Sequence, residues 1–232
     1  MATYVCSDIH GLSDKYFSLL NHLDMKQDRL IILGDVIDRG PKGFEILWDA
    51  LHQDNVCLLM GNHEYMMLEV LEAHQGNIPD DFSVLNWVLN GGAPTMASYR
   101  KASPEDQRFV MEALQKLPFA MTDLEIGDRH FYLCHSSPGK SRKKKILYRE
   151  DVMAPLDFVW TRMDAKGPFK RGKTIVAGHT IVLNYHKDLS VFSDTGNLWT
   201  AHYIDIDCGC AMQQENSRLA CLCLDTMEVT YF

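Results

Sequence analysis

Three short apolar runs, each ending in residues of the kind that bind metals, constrain this chain more than any other feature. Tyr4-Val5-Cys6 leads into Asp8-Ile9-His10-Gly11, Leu30-Ile31-Ile32-Leu33 into Gly34-Asp35-Val36-Ile37-Asp38-Arg39-Gly40, and Val56-Cys57-Leu58-Leu59-Met60 into Gly61-Asn62-His63-Glu64. Apolar runs of this length read as buried strands, and residues at the carboxyl ends of successive sheet strands converge on one crevice. Any one such end is most simply a strand with a polar cap. Three in succession bring carboxylate, imidazole and amide oxygen together, which is the donor set of a site for hard or borderline metals.

The remaining pattern is α/β. Asp14 to Leu23 reads as a helix with Tyr16, Leu19, Leu20 and Leu23 on one face, and Gly43 to Leu51 as another with Pro41 near its first turn. Strand–helix–strand units imply right-handed parallel crossovers. Residues 64 to 117 are expected to be mainly helical, with one apolar face of Met66, Met67, Val70 and Leu71 and a second of Val84, Leu85, Val88 and Leu89. Asn90-Gly91-Gly92 should cap the second of these, and Ser103 before Pro104 should start a further helix. From Phe119 the chain turns to β. A hairpin over 120–126 and 129–134 is expected about Gly127-Asp128, then strands near 174–177, 191–192, 201–207, 219–224 and 229–232. With no repeat and no linker, residues 1–232 are expected to form a single domain.

Composition narrows the function classes. The 232 residues are 46% hydrophobic and 23% charged, as in a globular protein with a substantial core. A net charge of -8 gives no general affinity for polyanions, so duplex nucleic acid is not an expected partner. No apolar stretch approaches the roughly 20 residues needed to span a bilayer. Met1-Ala2-Thr3-Tyr4 enters a strand without a signal-like segment, so a cytoplasmic location and no membrane partner are expected. The seven cysteines form no Cys-x-x-Cys pair. Cys208-Gly209-Cys210 and Cys221-Leu222-Cys223 could supply four thiolates to zinc or a redox pair. They read more simply as small apolar residues in two neighbouring strands.

Two further histidines follow apolar strands, His135 after Phe131-Tyr132-Leu133-Cys134 and His179 after Ile175-Val176-Ala177-Gly178. A lone histidine there is usually structural. These two complete a set, because Asp8, His10, Asp35, Asn62, His135 and His179 together can hold two metals with Asp35 shared. At this point the chain resembles the metallophosphoesterase superfamily, specifically its phosphoprotein phosphatase branch with compact bacterial and bacteriophage members. The matching elements are the three strand-end motifs, His135, Trp160-Thr161-Arg162 and Gly178-His179-Thr180, in order over residues 8 to 180.

The resemblance implies two mixed β-sheets packed as a sandwich flanked by helices, with the metals at one edge. It implies that Asp8, His10 and Asp35 hold one divalent ion, and Asp35, Asn62, His135 and His179 a second. Manganese is the expected ion, with iron, zinc, nickel or cobalt as alternatives. It further implies a metal-bridging hydroxide as nucleophile, His63 oriented by Asp38 as the acid for the leaving oxygen, and Arg39 and Arg162 as grips for the phosphoryl oxygens. Elementary chemistry agrees: a phosphomonoester is a dianion suited to planar guanidinium groups, and an alkoxide leaving group needs a proton near neutral pH.

Three departures from the family pattern stand out. Ser7 replaces the usual glycine before the first aspartate, Ser136-Ser137 follow His135, and the chain is too short for the substrate-groove additions of larger members. Ser136 and Ser137 lack a nucleophile-elbow pattern. Lys140-Ser141-Arg142-Lys143-Lys144-Lys145 is a dense basic run that could form an electrostatic lip or a solvated loop, and Asn90-Gly91-Gly92 and Tyr99 could line the site. The leading expectation is a metal-dependent phosphomonoester hydrolase acting on phosphoserine or phosphothreonine in proteins, or on another small phosphoester. The alternative is a dinucleoside polyphosphate hydrolase of the symmetrical Ap4A type. A third reading, an inactive metal-binding interaction module, is opposed by the intact His63, Arg39 and Arg162.

Overall fold

The apolar runs become strands whose polar ends meet. The structure, a computed structural model, describes residues 1–138, 140–142, 145–147, 155–167, 169 and 172–232. Strands β1 (Thr3–Cys6), β2 (Arg29–Ile32), β3 (Val56–Leu58), β11 (Ala220–Cys223) and β12 (Val229–Tyr231) form one sheet in the order β12-β11-β1-β2-β3. A second sheet contains β4 (Ala120–Ile126), β5 (Arg129–Cys134), β8 (Thr174–Ala177), β9 (Phe192–Ser193) and β10 (Tyr203–Asp205), in the order β4-β5-β8-β10-β9. Between β5 and β8, the strands β6 (Lys140–Arg142) and β7 (Lys145–Leu147) form a small antiparallel pair.

Both large sheets are mixed, as expected. β1, β2 and β3 run parallel, as do β5, β8 and β10, while the outer pairings are antiparallel. Strand alternation then sorts the side chains. Val5, Ile31, Leu33 and Leu59 pack against Phe131, Leu133, Val176 and Ile204 to fill the space between the sheets. Cys6, Leu30 and Ile32 face outward into the helical layer. Full burial of each large aliphatic contributes about 1.5–3 kcal/mol, so this double layer holds the strand ends in register.

The helices are α1 (Ser13–His22), α2 (Gly43–His52), α3 (Asn62–Ala73), α4 (Leu85–Leu89), α5 (Ala93–Tyr99), α6 (Pro104–Leu114) and α7 (Pro155–Trp160). Tyr16, Leu19, Ile46, Leu47, Met66, Met67 and Leu71 belong to one buried cluster on the outer face of the first sheet, so the methionine face is core. At the start of α6 the Asp106 amide donates to Ser103 Oγ at 3.1 Å, the expected cap.

Two expectations are corrected. Val84, Leu85, Val88 and Leu89 do not share a buried face: Leu89 is 77% exposed, and Leu85 and Val88 are also exposed. α4 is barely more than a turn long, and at helical spacing Val84 and Trp87 take the inward positions instead. The cysteine pairs do not sit in neighbouring strands, because β10 and β11 belong to different sheets. Their simpler reading survives, since Cys208, Cys210, Cys221 and Cys223 are free and buried. Of the basic run, Lys143 and Lys144 lie outside the described residues.

Candidate metal centre

Each parallel strand delivers a polar residue just past its last residue, and all of them reach the same edge of the sandwich. Asp8 follows β1, Asp35 follows β2, Asn62 opens α3 after β3, His135 follows β5 and His179 follows β8. Asp8, Asp35, Asn62, His179, Arg39 and Arg162 line one cavity of about 290 Å³, with Trp160, Ile181, Asn184, Asn90 and Asp207 around them. His10, His63, His135 and Asp38 lie buried at the same cluster. The ten residues expected to hold metal, to hold phosphate or to act as the acid pair are therefore brought together.

The backbone is bent to achieve this. Of the ten described non-glycine residues with positive φ, six belong to the cluster: Asp8, His10, Asp35, Asp38, Arg39 and His179. Left-handed conformations of this kind cost of order 1–3 kcal/mol each and persist where surrounding contacts enforce them. One enforcing contact is Glu64, fully buried, whose carboxylate accepts from the amides of Asp35 (2.7 Å), Val36 (2.9 Å) and Ile37 (3.3 Å). It also accepts from the Gly61 amide at 3.1 Å, at the start of α3. Gly34 (φ +104°) and Gly61 approach so closely that a Cβ on Gly34 would lie 2.5 Å from the Gly61 backbone.

The hydrogen bonds fix the tautomers. His10 Nδ1 lies 3.1 Å from the Ile37 carbonyl and His135 Nδ1 2.9 Å from the Leu33 carbonyl. Carbonyls only accept, so in both rings Nδ1 carries the hydrogen and Nε2 presents a lone pair. Those lone pairs face Asp35 Oδ2 at 3.6 Å from His10 and 3.5 Å from His135, while His63 Nε2 lies 3.9 Å from the same oxygen. Burial holds all the ligand-type histidines neutral. The pKa of His10 and of His135 is lowered mainly by desolvation, and that of His179 falls to about 2 through desolvation, with His135 and Arg162 adding to it. Desolvation, with the nearby Asp8 charge, pushes Asp35 up.

Acceptors thus confront acceptors in a buried space. Two ligands each about 2.1 Å from one ion stand roughly 3.0–3.5 Å apart, close to the spacings seen around Asp35. His179 Nε2 is buried without a partner, and its Nδ1 and His135 Nε2 both lie about 3 Å from Asn62 Oδ1. Flipping the Asn62 amide would supply donors to those two rings but none to Asp35 Oδ2. The donor set fits divalent cations. The backbone carbonyls behind His10 and His135 are the outer partners that metal-ligating histidines commonly have.

Among the described residues, two groups have ligand atoms within 4.8 Å of one another: His10, Asp35 and His63, and Asp35, His135 and His179. Asp35 is common to both. Asp8 falls outside them. Its Oδ2 accepts from Ser7 Oγ (2.5 Å) and the His179 amide (2.9 Å), and its Oδ1 lies 3.8 Å from His10 Nε2. His63 is tied up differently, with Nδ1 2.7 Å from Asp38 Oδ2 and Nε2 accepting from Arg39 at 3.2 Å. A cation beside that guanidinium is disfavoured, so Asp8 is the better candidate on this side. Arg162 donates to Thr180 Oγ1 at 3.4 Å.

Other side chains went unassigned in the sequence reading. Asp207 follows β10 as the other metal-type residues follow their strands, and it lines the cavity with its pKa raised by burial and by Asp8. That strand-end position was the signal available. Trp87 and Thr95 act from behind the site and carry no motif of their own, while Glu64 stood in the third strand-end motif without a role assigned to it. Asn90 lines the cavity, whereas Tyr99 is core and donates to the Gly76 carbonyl at 2.9 Å. Ser136 donates to the Phe158 carbonyl at 2.7 Å, and Ser137 to Met163 Sδ at 3.3 Å.

A mixed two-sheet sandwich with carboxylate and imidazole donors and two arginines at its edge defines a phosphoesterase-type hydrolase. The family model for calcineurin-like phosphoesterases matches residues 1–188, and the chain belongs to that family. It is similar to two curated proteins, both called bis(5'-nucleosyl)-tetraphosphatase, symmetrical. The one from Chromobacterium violaceum is 38% identical over 93 residues, covering 37% of this chain and 33% of the relative. The one from Methylobacillus flagellatus is 34% identical over 102 residues, covering 38% and 37%. The chain thus spans about a third of the length of each. In fold it is similar to a serine/threonine protein phosphatase from Saccharomyces cerevisiae, with a TM-score of 0.61 at 16% identity, over 97% of this chain and 73% of that one.

Proposed function

We propose that this phosphoesterase hydrolyses dinucleoside polyphosphates at the cavity edge, with manganese as its working ion. The hydrolytic reading is carried by the His10 and His135 lone pairs set around Asp35 Oδ2, with Asp35 lining the same cavity as Arg39 and Arg162. The names of the curated relatives support the substrate. Trp160, 38% exposed on the cavity wall, adds a face on which a base can stack beside the arginines.

In this reading Asp8, His10 and Asp35 hold one cation, and Asp35, Asn62, His135 and His179 the other. Bound there, the two ions would supply Lewis acidity and an activated water. Arg39 and Arg162 bind the phosphoryl oxygens. As substrate draws Arg39 from His63 Nε2, that nitrogen is freed to hold a proton. Burial pulls the His63 pKa down, but the Asp35 charge and the Asp38 hydrogen bond outweigh it, so the net direction is up. The proton can then pass to the departing oxygen.

A second reading, hydrolysis of phosphoserine or phosphothreonine, is favoured by this same His63–Asp38 pair. An alkoxide needs a proton donor more than a departing nucleoside diphosphate does. Turnover of a dinucleoside tetraphosphate and of a phosphopeptide by metal-loaded protein separates them. The expected result is higher kcat/KM on the dinucleotide, with nucleoside diphosphates as products. A preference for the phosphopeptide establishes the second reading, and hydrolysis of neither leaves an interaction module.

A further inference from the structure

One short segment outside the family's metal-type motifs grips the residues behind the acid. Trp87, buried in α4, donates from Nε1 to Asp38 Oδ2 at 2.7 Å, the same oxygen that His63 Nδ1 meets at 2.7 Å. Five residues along, Gly92 is pressed against the indole, and a Cβ there would come within 2.4 Å of Trp87 Cδ1. Thr95, also buried, accepts from the Asp38 amide at 2.9 Å. Between them the Gly91 carbonyl accepts from the Arg39 amide at 2.9 Å. The segment therefore touches the Asp38 side chain, the Asp38 backbone and the Arg39 backbone, at two residues held in left-handed conformations.

We propose that residues 87–95 form a positioning clasp for the His63–Asp38 pair, with the Trp87 indole as its decisive contact. The geometry of Asp38 gives the reason. Its Oδ1 is buried with no hydrogen-bond partner, so both donors to the carboxylate converge on Oδ2. Removing the indole N–H leaves His63 as the sole donor. The carboxylate can then rotate, and the imidazole loses a fixed direction. The cost falls on proton delivery, because none of the metal-type residues is held by this segment.

The inference rests on the acid role proposed for His63 and is independent of which natural substrate the enzyme takes. It is tested with Trp87→Phe, which keeps a ring in the core but deletes the donor, and with Gly92→Ala, which keeps the donor but displaces the ring. Both are compared with the parent on phenyl phosphate, a poor leaving group, and on 4-nitrophenyl phosphate, a good one, with metal content measured alongside. The expected result is a loss of kcat on the order of 10-fold or more on phenyl phosphate and about 2-fold or less on 4-nitrophenyl phosphate, at unchanged metal content. In zinc-loaded protein the downfield His63 Nδ1 proton resonance should shift in both variants. Equal losses on the two esters, or no loss on either, overturn the proposal, because a merely structural tryptophan would not change the dependence on the leaving group.

Discussion

At the scale of single residues, the site divides each functional group between fold and chemistry. Asp8 gives Oδ2 to Ser7 and the His179 amide, and Asp35 gives Oδ1 to the His63 amide, so in both the other oxygen remains for the cavity. His63 is the clearest test of role. His63→Asn should lower turnover of alkyl phosphoesters by an order of 10² to 10⁴ while an activated aryl ester suffers less. Equal losses across a leaving-group series would remove it as the acid. Arg162 lines the cavity and donates to Thr180 Oγ1. Arg162→Ala should weaken inhibition by inorganic phosphate by roughly 10- to 100-fold, the worth of one charge-assisted contact, with metal content unchanged. Unaltered phosphate inhibition would show that the side chain does not reach the phosphoryl group.

At the scale of elements, the start of α3 links the two halves of the centre. Gly61 permits the close approach of strand ends, Asn62 and His63 enter the site, and Glu64 reaches back to three amides around Asp35. Glu64→Gln loses part of that acceptor capacity. It should lower metal affinity by roughly 10- to 100-fold, read by titration calorimetry, while His63 stays in place. Unchanged affinity would make Glu64 a folding residue only. The strand-end donors were legible because a buried strand and its polar terminus leave a linear pattern. α4 was misread because, in so short a helix, apolar spacing carries little information and one side-chain hydrogen bond decides which face turns inward.

At the scale of the whole molecule, the two ends of the chain are joined. β11 pairs with β1, the Leu224 amide donates to the Thr3 carbonyl at 2.8 Å, and the Thr3 amide donates to Asp225 at 2.7 Å. Residues 1–232 are therefore proposed to unfold in one cooperative transition, checked by coincident calorimetric and spectroscopic melting. Among the described residues no helix is long and apolar enough to cross a membrane. Metal should stabilise the fold by about 2.7 kcal/mol at 100 times its Kd. The sign with pH follows from Asp35. Its folded pKa is raised, so protons compete for it as pH falls through that value, whereas His10 and His135, with lowered pKa values, stay neutral and do not compete. The gain in Tm on adding a divalent ion should thus be larger at about pH 7.5 than at about pH 5.5. Identical gains would speak against Asp35 as the shared ligand.

The sequence by itself determined the α/β class and the strand ends, and it pointed to Asp8, His10, Asp35, Asn62, His135 and His179, which the fold brings together, because strand period and terminal residues are local properties. It also held the position of Asp207, which follows its strand by the same rule. Only the tertiary structure decided which side chains stand behind the donors. Trp87 meets Asp38 across 49 residues of chain and Thr95 meets it across 57, while the left-handed turns at Asp8, Asp35 and Asp38 are enforced by contacts from elsewhere in the fold. The cavity wall is of the same kind: Trp160, Ile181 and Asn184 meet Asp8, Asp35 and Arg39 from distant parts of the chain, and no local pattern encodes that.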